Sequence, residues 1–192
     1  MSEEVKELAH ELNREISRLH LILEQCRQLY SNTETISILN KTAGLFFNIV
    51  QSQFFDALLL GICRLTDNEK MGRNKNVSIN SICSLIQDDQ FKEEVSTLCK
   101  QAILESKFAR DHRNKRISHS DQDYYKTRES SPLDTATFAK IENSLKTIEA
   151  VIGLVFSRLL KTTIAYKFIN LQGSADALVG RLKKLDMQDQ SR

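Results

Sequence analysis

A chain of 192 residues suits one domain of ordinary size, large enough to bury a core of its own. Its make-up, 41% hydrophobic and 27% charged with one proline and six glycines, suits a helical protein and speaks against an all-β fold, which needs more turn residues and β-branched runs. The formal net charge of +2 excludes a molecule that draws nucleic acid to its whole surface, so any such attraction must come from a local patch.

Val5, Leu8, Leu12, Ile16, Leu19, Leu23, Cys26 and Leu29 recur every three or four positions, which predicts a first helix with Ser2 as its cap and an end near Tyr30. The acidic start, Met-Ser-Glu-Glu-Val-Lys-Glu, lacks the basic-then-apolar build of a signal peptide. Ser31-Asn32-Thr33 breaks the pattern and offers a cap for a second helix through Ile36, Leu39, Ala43, Phe46, Val50, Phe54, Ala57, Gly61 and Leu65. Phe47, Phe55, Leu59 and Ile62 widen that stripe, so this helix is expected to be covered on more than one side and to stop around Asp67-Asn68. The longest apolar-rich run, Ala57 to Cys63, is far too short to span a bilayer, so a soluble, cytoplasmic protein without membrane association is expected. Glu69 to Asn76, with Gly72 and the basic Lys70, Arg73 and Lys75, reads as a loop.

Ser78 is placed to cap a short helix through Ile79, Ile82 and Leu85, and Asp88-Asp89 to open another, with acidic residues at its positive end. From Val95 the stripe runs through Leu98, Cys99, Ala102 and Ala109. Counted on one continuous helix at about 100° per residue, it returns at Arg113 and passes Ile117. Asp121 to Ser131 is polar and unpatterned, and Pro132 fits the first turn of the next helix. Phe138, Ile141, Leu145, Ile148, Ile152, Val155 and Leu159 mark that helix, with a continuation to Ile169. Gly173 interrupts it, a last helix from Ser174 to Met187 carries Leu178, Leu182 and Leu185, and residues 188–192 read as a frayed tail. The fold expected is one all-α domain over residues 1–187, a bundle of about four long helices with one or two short ones.

Cys26, Cys63, Cys83 and Cys99 are far apart and form no C-x-x-C pair, so they predict neither a zinc site nor a disulfide framework, and no cofactor is expected. P-loop, nucleophile-elbow, H-E-x-x-H and EF-hand patterns are absent from the sequence. Glu3, Glu7 and Glu11 read as a solvated helix face, and His10 and His20 as histidines without convergent partners.

Polar chemistry concentrates in Arg110-Asp111-His112-Arg113-Asn114-Lys115-Arg116-Ile117-Ser118-His119-Ser120-Asp121. Lys107, Arg110, Arg113, Lys115 and Arg116 face one acid, Asp111, between residues 107 and 119, a local charge of +4 suited to RNA phosphates. Tyr124 and Tyr125 follow, able either to stack on unpaired bases or to pack on the bundle.

Arg113-Asn114 followed by four residues and a histidine resembles the signature of the HEPN superfamily, helical bundles that include many metal-independent endoribonucleases. The wider outline resembles its abortive-infection, AbiU-like branch. There a long second helix ends in Arg-Leu-x-Asp, here Arg64-Leu65-Thr66-Asp67, and a later helix ends in Arg-x-Lys-x-x-x-His-Ser-Asp, here residues 113–121. The resemblance implies cleavage of RNA by the ribose 2′-hydroxyl, leaving a cyclic phosphate and a free 5′-hydroxyl. It also implies a homodimer in which the motif helices meet, a place in a toxin or phage-defence system, and a cognate antitoxin as a further partner.

The residue types fit such chemistry. His119 near neutrality serves as base or acid, Arg113 forks onto phosphate oxygens, and Asn114 orients either group. Asp121 or Asp67 is placed to orient the histidine or hold Arg113, with Ser120 in support. Arg110, Lys115, Arg116, Lys107 and Tyr124 are the expected RNA contacts. On one regular helix, however, Arg113 and His119 point about 120° apart with roughly 9 Å of rise between them. Either the helix distorts or ends before His119, or a second copy completes the site across a two-fold axis. In the competing reading Arg113 pairs with Asp67 or Glu105 only to hold two helices together, and the protein is a non-catalytic binding module or scaffold.

Overall fold

The computed structural model describes residues 3–118, 121–166 and 172–190, with residues 189 and 190 described by their backbone alone. Among them are eight α-helices and one two-stranded hairpin, so the all-α class holds. Helix α1 spans Glu3–Tyr30 and α2 spans Thr33–Leu65; Asn32 caps α2 by accepting from the backbone N–H groups of Glu34 and Thr35. The expected cap at Ser2 lies outside the described residues. The stripe read in α1 is its buried face, with Leu12, Ile16 and Leu19 fully enclosed.

In α2, burial alone does not describe the apolar content. The helix leaves helical dihedrals at Ala43 (φ −160°, ψ 63°) and kinks there. Beyond Leu58 nearly every residue enters the core, and Gly61 lies so close to Leu19 of α1 that a Cβ would stand 2.3 Å from Leu19 Cδ2. Just after the kink the trend reverses: Leu45 is 80% exposed, Phe46 60% and Ile49 55%. The short run Ala57–Cys63 therefore understates this element. By length and composition alone α2 is apolar enough to cross a membrane, with a mean hydropathy of 1.5, although its C-terminal half is spent on the core of the bundle.

The polar stretch after α2 is a hairpin, β1 (Lys70–Met71) paired antiparallel with β2 (Asn74–Lys75), with Gly72 at φ +61° in the turn. Helix α3 (Ile79–Leu85) starts at Ser78, whose Oγ accepts from Ser81 N, and α4 (Asp89–Glu105) starts at Asp88, which accepts from Phe91 N at 2.6 Å. The Ser78 cap matches the sequence reading, and α4 opens at Asp88-Asp89 as read.

The single long helix expected through Ile117 is broken twice. Helix α4 ends at Ser106, whose N–H closes the last turn, and α5 takes only Lys107–His112. Arg113–Ile117 then winds as one π turn, closed by a hydrogen bond from Ser118 N to Arg113 O at 2.9 Å. A face counted at 100° per residue from Val95 is therefore lost before Arg113. The polar segment after it holds a short helix for which no element was read: α6 (Gln122–Thr127) begins at Asp121, whose Oδ1 accepts from Tyr124 N.

Pro132 lies in an extended connector rather than in a first helical turn, because α7 (Phe138–Val155) starts at Thr137, which caps it through Lys140 N. Helix α7 stops well short of Ile169: a π turn over Phe156–Leu160 gives way to Lys161 in the left-handed region (φ +52°). Ile169 itself lies outside the described residues. Gly173, at φ +81°, precedes α8 (Ala175–Gln190), which runs past the end foreseen at Met187. The main core joins α1, the C-terminal half of α2, α3, α4 and α7; a smaller cluster of Cys26, Leu29, Tyr30, Leu39, Phe47 and Val179 seats α8.

Candidate functional site

Helix α2 ends where the motif helix passes, and the two are joined through Asp67. Thr66 caps α2 while its buried hydroxyl donates to Ile62 O at 2.9 Å, and Asn80 of α3 donates to the Asp67 carbonyl, so the segment is held from two sides. Asp67 Oδ1 then accepts from Arg110 Nη1 at 2.7 Å and from Arg113 Nη1 at 2.8 Å. Arg110 also donates through Nη2 to the carbonyl and hydroxyl of Thr66, at 3.0 and 3.1 Å. One carboxylate thus serves two guanidiniums, each about three-quarters withdrawn from solvent, and their charges lower each other's gain from it.

Arg113 Nε donates to Asn114 Oδ1 at 3.1 Å, so Asn114 orients the arginine directly. Of the two acids expected beside Arg113, Asp67 is the partner; Asp121 is committed to the start of α6. Glu105 is taken by Asn143, whose Nδ2 donates to it at 2.5 Å, and so does not hold Arg113. His119 and Ser120 lie outside the described residues. Helical winding ends at Ile117, so of the geometries open to the motif the helix both distorts and stops before position 119.

The positive patch is weaker than the sequence count. Arg116 Nη2 donates to Asp56 of α2 at 2.5 Å, and Lys107 pairs with Asp111 at 3.3 Å. Asp56 and Asp67, remote in sequence, bring the acids facing those five cations to three and the local charge to +2. Lys115 is exposed and has no acidic partner among the described residues, which makes it the cation readiest for phosphate. In the hairpin, Lys70 and Arg73 are exposed and Lys75 reaches Glu4 at 3.6 Å.

On the opposite flank His112 Nε2 lies 2.9 Å from the Asp134 carbonyl, which can only accept, so Nε2 carries the proton. Its Nδ1 is buried without a hydrogen-bond partner among the described residues. Tyr124 lines the same flank, whereas Tyr125 is exposed beneath the Arg128 guanidinium, 4.5 Å from its ring centre. Behind the clamp, burial pushes the Cys63 thiol up to about 11, although Arg113 and Arg110 pull it the other way.

Asp56, Thr66, Asn80 and His112 escaped the sequence reading as parts of this site. Asp56 lies on the same side of α2 as Ser52 and Leu59, which was visible only as amphipathic patterning. His20 does have a convergent neighbour, correcting its reading as isolated: it pairs with Glu149 and stacks on Tyr166. Among the described residues no group of three His, Cys, Asp or Glu side chains is placed to hold a metal ion.

A helical bundle in which an Arg-Leu-x-Asp turn clamps the arginine opening a late-helix motif is a HEPN-type domain. The sequence model of the HEPN family described as AbiU2 matches residues 2–178. The chain belongs to that family, an abortive-infection-related branch of the superfamily. Neither the curated proteins nor the solved structures searched gave a match.

Proposed function

We propose that the protein is a metal-independent endoribonuclease acting as a homodimer in the cytoplasm, in a toxin or phage-defence role with a cognate antitoxin. The observation that carries this reading is the motif itself: Arg113, steered by Asn114 and Asp67 and about a quarter exposed, stands where regular winding ends just ahead of position 119. In the proposed reaction the ribose 2′-oxygen attacks phosphorus as its proton passes to a base, and the P–O5′ bond breaks as that oxygen takes a proton from an acid. The products are a cyclic phosphate and a 5′-hydroxyl. His119 supplies base or acid, one from each of two copies, and Arg113 stabilises the charge gathering on the non-bridging oxygens. The exposed Leu45, Phe46 and Ile49 adjoin Asn48 and Ser52, which face the motif helix, and so offer an apolar surface for a second copy beside the site.

The test is RNA cleavage in excess EDTA by wild type and His119→Ala. Cleavage that survives the chelator and is lost in the variant supports the reading; a folded wild-type dimer that cuts neither structured nor single-stranded RNA sinks it. A second reading, a non-catalytic binding or regulatory subunit, is favoured by one observation: Asp67 already satisfies Arg113, as in a purely structural ion pair.

A further inference from the structure

The flank of the motif helix away from Asp67 borders a cavity of about 490 Å³, within the range of small-ligand sites. Its floor is apolar, with Phe55 and Leu59 of α2 against Leu133 and Ala136 of the connector before α7. Its wall is different in kind. Asn48, Gln51 and Ser52 line it from α2, yet their side chains make no hydrogen bond among the described residues. Arg116, locked to Asp56, and His112, locked to the Asp134 carbonyl, close the side nearest the motif, and Tyr124 of α6 completes it.

Two uncommitted carboxamides present donor and acceptor side by side, the pattern that pairs with the edge of a nucleobase. A tyrosine beside an apolar floor suits the face of the same planar ring. A lipid tail would leave the amides unpaired, and a simple anion would leave the floor unused and meet an arginine already neutralised by Asp56. We propose that this cavity is a nucleobase subsite, with Asn48 and Gln51 reading the base edge and Tyr124 its face. It rests on the ribonuclease reading for the placement of a strand: the cavity and the Arg113–Asp67 pair lie on different flanks of the motif helix, so a base seated here belongs to a nucleotide other than the one held by Arg113. The same chemistry would take a free nucleotide.

The experiment is equilibrium binding, which needs no cleavage. Full-length protein is titrated with AMP, GMP, CMP and UMP and with short single-stranded RNAs of each base, for wild type, Asn48→Ala/Gln51→Ala and Tyr124→Leu, with circular dichroism confirming each fold. The expected result is a preference for one base and a loss of about tenfold in affinity for it in each variant. Loss for oligonucleotides alone identifies a strand's base as the occupant; loss for mononucleotides as well identifies a free nucleotide. Folded variants that bind every probe as tightly as wild type overturn the subsite, and so does wild type without base preference. Neither outcome touches the cleavage test at His119, so the two proposals fail separately.

Discussion

Asp67 stands 46 residues before Arg113 and accepts from its Nη1 at 2.8 Å, closing the end of α2 onto the turn that opens the motif. That carboxylate also separates Arg113 from Arg110 electrostatically. Asp67→Ala leaves two guanidiniums facing each other without an anion, partly withdrawn from water. The expected cost is about 1–2 kcal/mol, or a fall in Tm of about 2–8 °C by thermal melting. Arg113→Ala should cost less, because Asp67 keeps Arg110. It should instead abolish cleavage, and equal stability losses without a catalytic effect would support the scaffold reading.

RNA affinity should depend on salt less steeply than the sequence-local charge suggests, since acids from α2 neutralise much of the patch. Lys115→Ala should lower the slope of log affinity against log salt by about 1, whereas Lys107→Ala should change it little. Filter binding over a salt series reads both.

Phe46→Glu places a charge on a side chain that is 60% exposed and meets the core through the edge of Phe47. The monomer should keep its melting temperature, while dimer affinity falls by about ten- to a hundredfold. Sedimentation over a concentration range measures this, and unchanged self-association would remove the α2 face from the dimer.

Gly61→Ala should destabilise the bundle by about 1–3 kcal/mol, because Leu19 must move for the added methyl group. Chemical denaturation measures the loss.

Thiol reactivity should be nearly silent in the native protein. Burial raises Cys26 and Cys99 to about 12 and Cys63 to about 11, so little thiolate exists near neutrality. A thiol reagent at pH 7.5 should reach Cys83 first, which is only partly buried, and the other three on unfolding.

The periodic stripes of α1, α3 and the start of α7 were legible because each buries one face, and the caps at Asn32, Ser78 and Asp88 because short polar side chains there face free backbone N–H groups. Periodicity failed at Ser106 and Arg113, since neither break leaves a glycine or proline to mark it. The short helix α6 was missed because it has no buried residue and therefore no stripe. At the site, Asp67 and Asn114 were legible from motif spelling, but Asp56 and the cavity amides were not. Their roles arise from how α2 lies across the motif, which no local pattern encodes.

The π turn at Arg113–Ile117 spans one residue more than an α turn would. It therefore works as a length buffer. Deleting one residue inside it would let the turn tighten to α-helical winding while Asp67 keeps its hold on Arg113, and the chain after Ile117 would keep nearly its direction, because the shorter α turn closes about the same rotation. The spacing between the arginine and the histidine can thus shorten by one residue without disturbing the core or turning the chain that follows the π turn.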